Sequence, residues 1–341
     1  MNSEIQQAAD ILRRGGLVAF PTETVYGLGA DARSSKAILG IFSAKGRPAT
    51  NPLIVHVTDA VMACRYAAHW PALAQQLARL FWPGPLTLVV KKRAEIVDQV
   101  TAGRDTVALR APDHPLAQAL LCAFDGPIAA PSANRSTRVS PTTADHVREQ
   151  LGGRVQMILD GGSCRVGIES SVLDLTTATP RLLRPGGITL EQLRGAIGIV
   201  DYTPQIISQH VAATSPGQHA THYSPVTPAY RFKASDRPIL AAWCRNHPHQ
   251  AVVIMVVGPL RTEDPLRRAL SPLHRVVEMP PDAGDYARRL YDSLHAADAT
   301  HPACIWIEWP GETPNWLAIH DRLLRATRPM DSAFNSDASL G

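Results

Sequence analysis

Residues 15–31 read GGLVAFPTETVYGLGAD, and the fold turns on how this stretch is parsed. Upstream, Ile5, Ala8, Ala9 and Leu12 recur at helical spacing and stop at Gly15-Gly16, after which Leu17 to Phe20 reads as a short buried strand. The letters from Gly27 to Ala32 fit the dinucleotide fingerprint GxGxxA. Six residues separate that pattern from the strand, however, and the fingerprint needs a tight strand-to-helix turn. It is rejected as a nucleotide loop. Pro21 to Leu28 instead sets two hydroxyls, a carboxylate and a phenol at a sheet edge, which suits a satisfied turn or a small-ligand pocket.

Outward from there, apolar spacing predicts helices over Ser35–Ala44, Pro71–Phe81, Pro115–Cys122 and Thr143–Leu151. Strand candidates lie between them at Leu53–Val57, Leu86–Val90, Thr106–Leu109, Met157–Leu159 and Ser171–Leu175. Thr189 and Gln192 form a capping box that starts another helix to about Ile197. Residues 1–199 therefore read as one mixed α/β domain. Periodicity fails over 200–228, where prolines punctuate a polar stretch too long for an ordinary loop, so this is a linker.

Beyond it, Ile239–Trp243, Ala251–Val257, Val276–Met279 and Cys304–Trp309 read as strands. They alternate with helices near Asp264–Leu270, Asp282–Ala297 and Asn315–Ala326. Such alternation predicts a smaller parallel-sheet domain over 229–327 with right-handed crossovers. Residues 328–341 read as a disordered tail.

Composition narrows the function classes. The chain has 341 residues, 45% hydrophobic, with 34 Lys+Arg against 30 Asp+Glu, a soluble two-domain composition rather than a polybasic one. Any anion or nucleic-acid site must be local. Cys64, Cys122, Cys164, Cys244 and Cys304 are odd in number and form no CxxC pair, which counts against a disulfide framework or structural zinc and for a reducing cytoplasm. No signal peptide or membrane segment is read. Neither GxxxxGK[ST] nor GxSxG occurs, and the pairs His219/His222 and His247/His249 lack acidic or Cys companions for zinc.

Three groups of residues stand out. Lys45-Gly46-Arg47-Pro48 puts two cations beside a bend at a helix C-terminus, as dipole partners or as a phosphate clamp. Pro131-Ser132-Ala133-Asn134 and Ser140-Pro141-Thr142 form a run of small polar residues before a helix, longer than capping alone requires. Arg110 and Arg184 each end an apolar strand, where a cation is either solvated or touches ligand.

Taken in order, PTETVYGLGAD, KGRP with NPLIVHV, FWPGPLT, LRAPDHP, APSAN, SPT, DGGSCRVGIESSV and LLRPGGI closely resemble the YrdC-like threonylcarbamoyl-AMP synthase family in its long, two-domain form. SPGQHATHYSP and DRLLRA extend the likeness over nearly the whole chain. The resemblance implies a twisted α/β catalytic domain joined to a Rossmann-like domain. It implies an enzyme making threonylcarbamoyl-adenylate from L-threonine, bicarbonate and ATP, with pyrophosphate released and the product passed to a transferase that modifies tRNA beside the anticodon.

By that resemblance, Lys45, Arg47, Ser132 and Asn134 form the catalytic tetrad. Arg47, Asn51, Thr106, Ser132, Ser140, Arg184 and Tyr223 would contact ATP, with Tyr223 and the linker acting as a lid. Thr24, His56, Arg110, the main chain at Ala130, and Ser170 would hold threonine. Magnesium would ride on the ATP phosphates without a protein cage. Thr137 and Ser171 stand where the family usually has glycine and threonine. Two other readings are a carbamoyltransferase, whose extra modules are absent, and an RNA-binding module, for which 6% aromatics offer little base stacking.

Overall fold

The computed structural model describes residues 2–204 and 223–337, which fall into two units: residues 1–136 with 140–220, and residues 137–139 with 221–341. The first unit holds nine strands: β1 (Val18–Phe20), β2 (Gly27–Asp31), β3 (Ile54–His56), β4 (Leu86–Lys91), β5 (Thr106–Arg110), β6 (Ile128–Ala129), β7 (Met157–Ile158), β8 (Ser171–Asp174) and β9 (Arg181–Arg184). They form one mixed sheet in the order β7-β1-β2-β6-β3-β5-β4-β8-β9.

The GLGAD segment is strand β2, antiparallel to both β1 and β6, which accounts for its glycines without any nucleotide turn. The first helix, Asn2–Arg13, buries the expected stripe Ile5, Ala8, Ala9 and Leu12 against Leu120 and Leu121 of helix Pro115–Phe124. A second apolar cluster forms around Ile38 and Ile41 of helix Ser35–Lys45, whose N-terminus is capped by Ser34. That helix ends at Gly46, left-handed at φ 63°, whose N–H bonds Phe42 and Ser43 carbonyls. The turn sets Lys45 and Arg47 on either side of it, and both are buried.

The second unit is a five-stranded, wholly parallel sheet of β10 (Ala229–Phe232), β11 (Val252–Val257), β12 (His274–Met279), β13 (Cys304–Glu308) and β14 (Arg328–Pro329). Its order is β12-β11-β13-β10-β14. Parallel neighbours require crossovers, supplied here by helices Arg237–Asn246, Pro265–Ala269, Ala283–Asp298 and Leu317–Ala326. At the carboxyl end of β13, Glu308 takes both arms of the Arg237 fork at 3.0 and 2.7 Å and accepts the Val257 N–H at 2.7 Å.

Two sequence expectations are corrected. Ile239–Trp243 is not a strand but the middle of helix Arg237–Asn246, which turns Leu240, Ala241 and Cys244 inward while Ile239 stays 52% exposed. A five-residue apolar run does not separate strand from helix by itself. Residues 328–337 are not a disordered tail: they form β14, on the edge of the sheet beside β10, and helix Asp331–Asp337. Met330 and Ala333 are buried in the core around Trp306, with Phe334 packed on it, and that burial offsets the entropy of ordering the segment.

Of the expected linker, residues 205–222, including His219 and His222, lie outside the described residues. Tyr223, at φ 62°, is packed within the second unit, stacked on Tyr291 at 5.8 Å with the Arg322 guanidinium 5.1 Å over its ring. Thr137 adopts φ 68°, the left-handed region that the usual glycine would occupy freely, and its carbonyl accepts the Ser224 N–H at 2.9 Å.

Candidate active site

The three groups singled out in the sequence converge in the first unit. Lys45, 2% exposed, donates from Nζ to the carbonyls of Ser132 and Asn134, both at 2.5 Å, and to Asn134 Oδ1 at 3.2 Å. Ser132 Oγ donates to the same Oδ1 at 2.5 Å. Burial, and after it the Arg47 charge, pushes the Lys45 ammonium well below the usual lysine range. Arg47 donates to the carbonyls of Asn51 and Pro52 at 3.4 and 3.0 Å. Thr106, at the start of β5, lines a small void with Pro52 and Leu53 on that side. Two basic side chains are thus buried side by side, each donating to main-chain carbonyls.

A second cluster surrounds Arg110 at the end of β5. Its Nη2 donates to Thr24 Oγ1 at 2.9 Å and lies 2.7 Å from Glu23 Oε1, and its Nε reaches the Gly84 carbonyl at 3.3 Å. His56 is Arg110's register partner on neighbouring β3. Burial, and after it the Arg110 charge, lowers the His56 ring to about 3, so it is neutral at physiological pH. The main chain of Ala130 is fixed by its N–H bond to the Ile54 carbonyl at 2.8 Å.

A third cluster joins Ser170 to Arg184, expected in separate ligand subsites. The Arg184 fork donates to the Ser170 carbonyl at 3.1 and 3.0 Å and to Ser170 Oγ at 3.2 Å, and that hydroxyl also meets Thr87 Oγ1 at 2.8 Å. This contact depends on Gly186. A Cβ there would lie 2.3 Å from the Glu169 carbonyl oxygen and 2.4 Å from the Ser170 carbonyl carbon, so only glycine admits the approach. Ser140 Oγ donates to Glu169 at 2.7 Å. Segment 131–142 ties the clusters together, since Tyr26 N–H bonds the Pro141 carbonyl and Ala133 N–H bonds the Tyr26 carbonyl.

Asn51 Oδ1 and His56 Nδ1 are buried without a hydrogen-bond partner among the described residues. Buried polar atoms are normally satisfied by protein or by water, so these two are open to a hydrogen bond from solvent or a ligand. Sequence reasoning counted Glu23 only as part of a polar cluster and did not single out Glu169. No local spacing pairs either with its partner, since Glu23 meets Arg110 and Ser140 meets Glu169 only through the fold. Among the described residues no group of three or more His, Cys, Asp or Glu could hold a metal ion. No helix there is long and apolar enough to cross a membrane.

A mixed α/β sheet with buried Lys45, Arg47 and Arg110 beside a hydroxyl-rich loop defines an α/β protein with a buried polar site. The comparisons sharpen this. Residues 10–186 match the Sua5–YciO–YrdC family, whose description reads telomere recombination, and residues 188–327 match the threonylcarbamoyl-AMP synthase C-terminal domain. The chain belongs to the Sua5–YciO–YrdC family, in the form that carries this second domain. It is 40% identical to the threonylcarbamoyl-AMP synthase of Bacillus subtilis, over 95% of this chain and 92% of that one. The Pyrococcus abyssi enzyme of the same name is 38% identical, over 95% and 94%. The crystal structure of P. abyssi Sua5 complexed with L-threonine superposes with a TM-score of 0.86 at 38% identity, covering 96% and 95% of the two chains.

Proposed function

We propose that the protein is an L-threonylcarbamoyladenylate synthase, joining L-threonine, bicarbonate and ATP into threonylcarbamoyl-AMP and pyrophosphate for threonylcarbamoylation of tRNA. The observation that carries this reading is the buried Lys45–Arg47 pair, whose partner loop at Ser132–Asn134 is hydrogen-bonded to Tyr26, two residues along the chain from Arg110's partner Thr24. The names of the relatives and the threonine bound in the P. abyssi structure support it.

The chemistry divides over the clusters. The threonine amine captures bicarbonate with loss of water, forming an N–C bond. A carbamate oxygen then attacks the α-phosphorus of ATP, and the bond to the β-phosphate oxygen breaks with its electrons leaving on pyrophosphate. Such a step needs positioning and charge neutralisation above all. Lys45 and Arg47, with Ser132 and Asn134, neutralise the phosphates, while Asn51, Thr106, Ser140 and Arg184 hold the rest of the nucleotide.

Arg110, whose Nε and Nη2 already hold Gly84, Thr24 and Glu23, keeps its Nη1 donors for the threonine carboxylate, with Thr24, His56, Ser170 and the Ala130 main chain around the substrate. A ring at about 3 is too weak a base for neutral pH, so His56 orients threonine rather than taking its proton. Magnesium carried on the ATP phosphates would supply further charge neutralisation beside Lys45 and Arg47. The enzyme is placed in the cytoplasm, where its product is consumed by a tRNA threonylcarbamoyl transferase.

The test is to follow pyrophosphate and adenylate masses on incubation with ATP, magnesium and bicarbonate, with and without L-threonine. Threonine-dependent pyrophosphate with the threonylcarbamoyl-adenylate mass is expected. ATP binding without turnover would overturn the assignment.

A further inference from the structure

We propose that the second unit carries a binding site of its own, at the carboxyl ends of β10, β13 and β14, for a small organic monocarboxylate with an apolar body. A cavity of about 520 Å³ opens there, within the range of small-molecule sites. Its place follows from the strand order. The chain leaves β10 for β11 in one direction across the sheet and leaves neighbouring β13 for β14 in the other. Opposed connections at adjacent strand ends open a crevice where ligands of parallel sheets bind.

The lining supplies two kinds of contact. Phe232, Ile239, Leu324 and Met330 give an apolar wall, of which Ile239 and Leu324 remain 52% and 46% exposed and so are open to a ligand. Arg231 supplies the charge. Its guanidinium is half-buried, donates from Nη1 to the Thr327 carbonyl at 2.8 Å, and forms no ion pair among the described residues. Burial lowers its pKa, and no neighbouring charge offsets that. The rest of its donor fork is available to a carboxylate, which it matches in shape.

The rim sets the ligand's charge. Lys233 is exposed, and Asp236 already accepts the Lys233 N–H at 2.8 Å and the Ser235 hydroxyl at 3.2 Å. Glu312 and Asp331 are exposed carboxylates at the same opening. Together they repel a polyphosphate while leaving room for a single negative charge at Arg231. An N-acylated amino acid with a large apolar side chain has the required charge and shape.

The test uses the full chain and fluorine NMR with N-acetyl-4-fluorophenylalanine, and with 4-fluorophenethylamine as the partner lacking the carboxylate. Saturable binding of the carboxylate at millimolar concentration is expected, weakened at least tenfold by Arg231→Met and partly restored by Arg231→Lys. Leu324→Glu, at an exposed position that tolerates the change, should weaken it likewise; thermal melting confirms that each variant is folded. No saturation, equal affinity in the Arg231→Met protein, or equal binding of the amine would each overturn the proposal.

Discussion

Acidifying the protein should destabilise it through one ring, and the size of the effect follows from where that ring sits. His56 is 3% exposed on β3, beside the Arg110 charge, and its ring is lowered from 6.5 to about 3. Its folded-state pKa is below the unfolded value, so between those limits the unfolded chain binds the proton and the folded chain does not. Stability from this source is intact above pH 6.5 and is lost as pH falls towards 3, at about 1.4 kcal/mol per unit. From pH 7.5 to 4.5 the loss amounts to about 3 kcal/mol. Urea melts of the wild type and of His56→Asn at several pH values isolate this contribution, because the variant keeps every other acid-labile group. The wild type should lose about 3 kcal/mol more than the variant over that range. Parallel profiles, or an NMR titration of the ring near pH 6, would refute the burial argument.

Three further outcomes are expected. Lys45→Met should cut threonine-dependent pyrophosphate release at least a hundredfold, since a preorganised charge beside the phosphates is lost; a folded variant with normal kcat would remove Lys45 from the clamp, and Arg47→Ala should behave alike. Gly186→Ala should lower stability by about 3 kcal/mol and impair turnover by pushing Arg184 off Ser170, whereas Gly195→Ala, with nothing within 4 Å of the new Cβ, should leave turnover unchanged; denaturant melts with kinetics of both variants check this. Glu308→Gln should destabilise the second unit by about 1 kcal/mol, because Arg237 loses one of its two carboxylate partners at a 3% exposed position while keeping Asp264 at 2.6 Å; an unchanged urea midpoint would count against that reading.

What the sequence reveals and what it hides follow one physical line. Helices such as Asn2–Arg13 and Ala283–Asp298 announce themselves because a long apolar stripe repeats every turn. Short elements do not: β6 has two residues, and helix Arg237–Asn246 shows a five-residue apolar core that reads equally as strand. β2 was hidden by glycines that look like a turn until β1 and β6 flank it. Lys45, Arg47 and Arg110 were visible as cations at element ends. The Glu23 contact with Arg110, and the meeting of Ser170 with Arg184, needed the sheet to bring them together.

The site's contacts span great lengths of chain. Lys45 reaches 87 residues to Ser132 and 89 to Asn134, Arg110 reaches 86 to Thr24, and Ser170 reaches 83 to Thr87. Closing loops of that size costs entropy that only the finished sheet offsets. During synthesis the Lys45 ammonium waits, without its three oxygens, until residues beyond 134 have emerged, and the Arg184 clasp closes only after that. The catalytic unit is therefore a late product of its own translation. A nascent chain stalled before residue 184 would hold every early site residue and still lack a site.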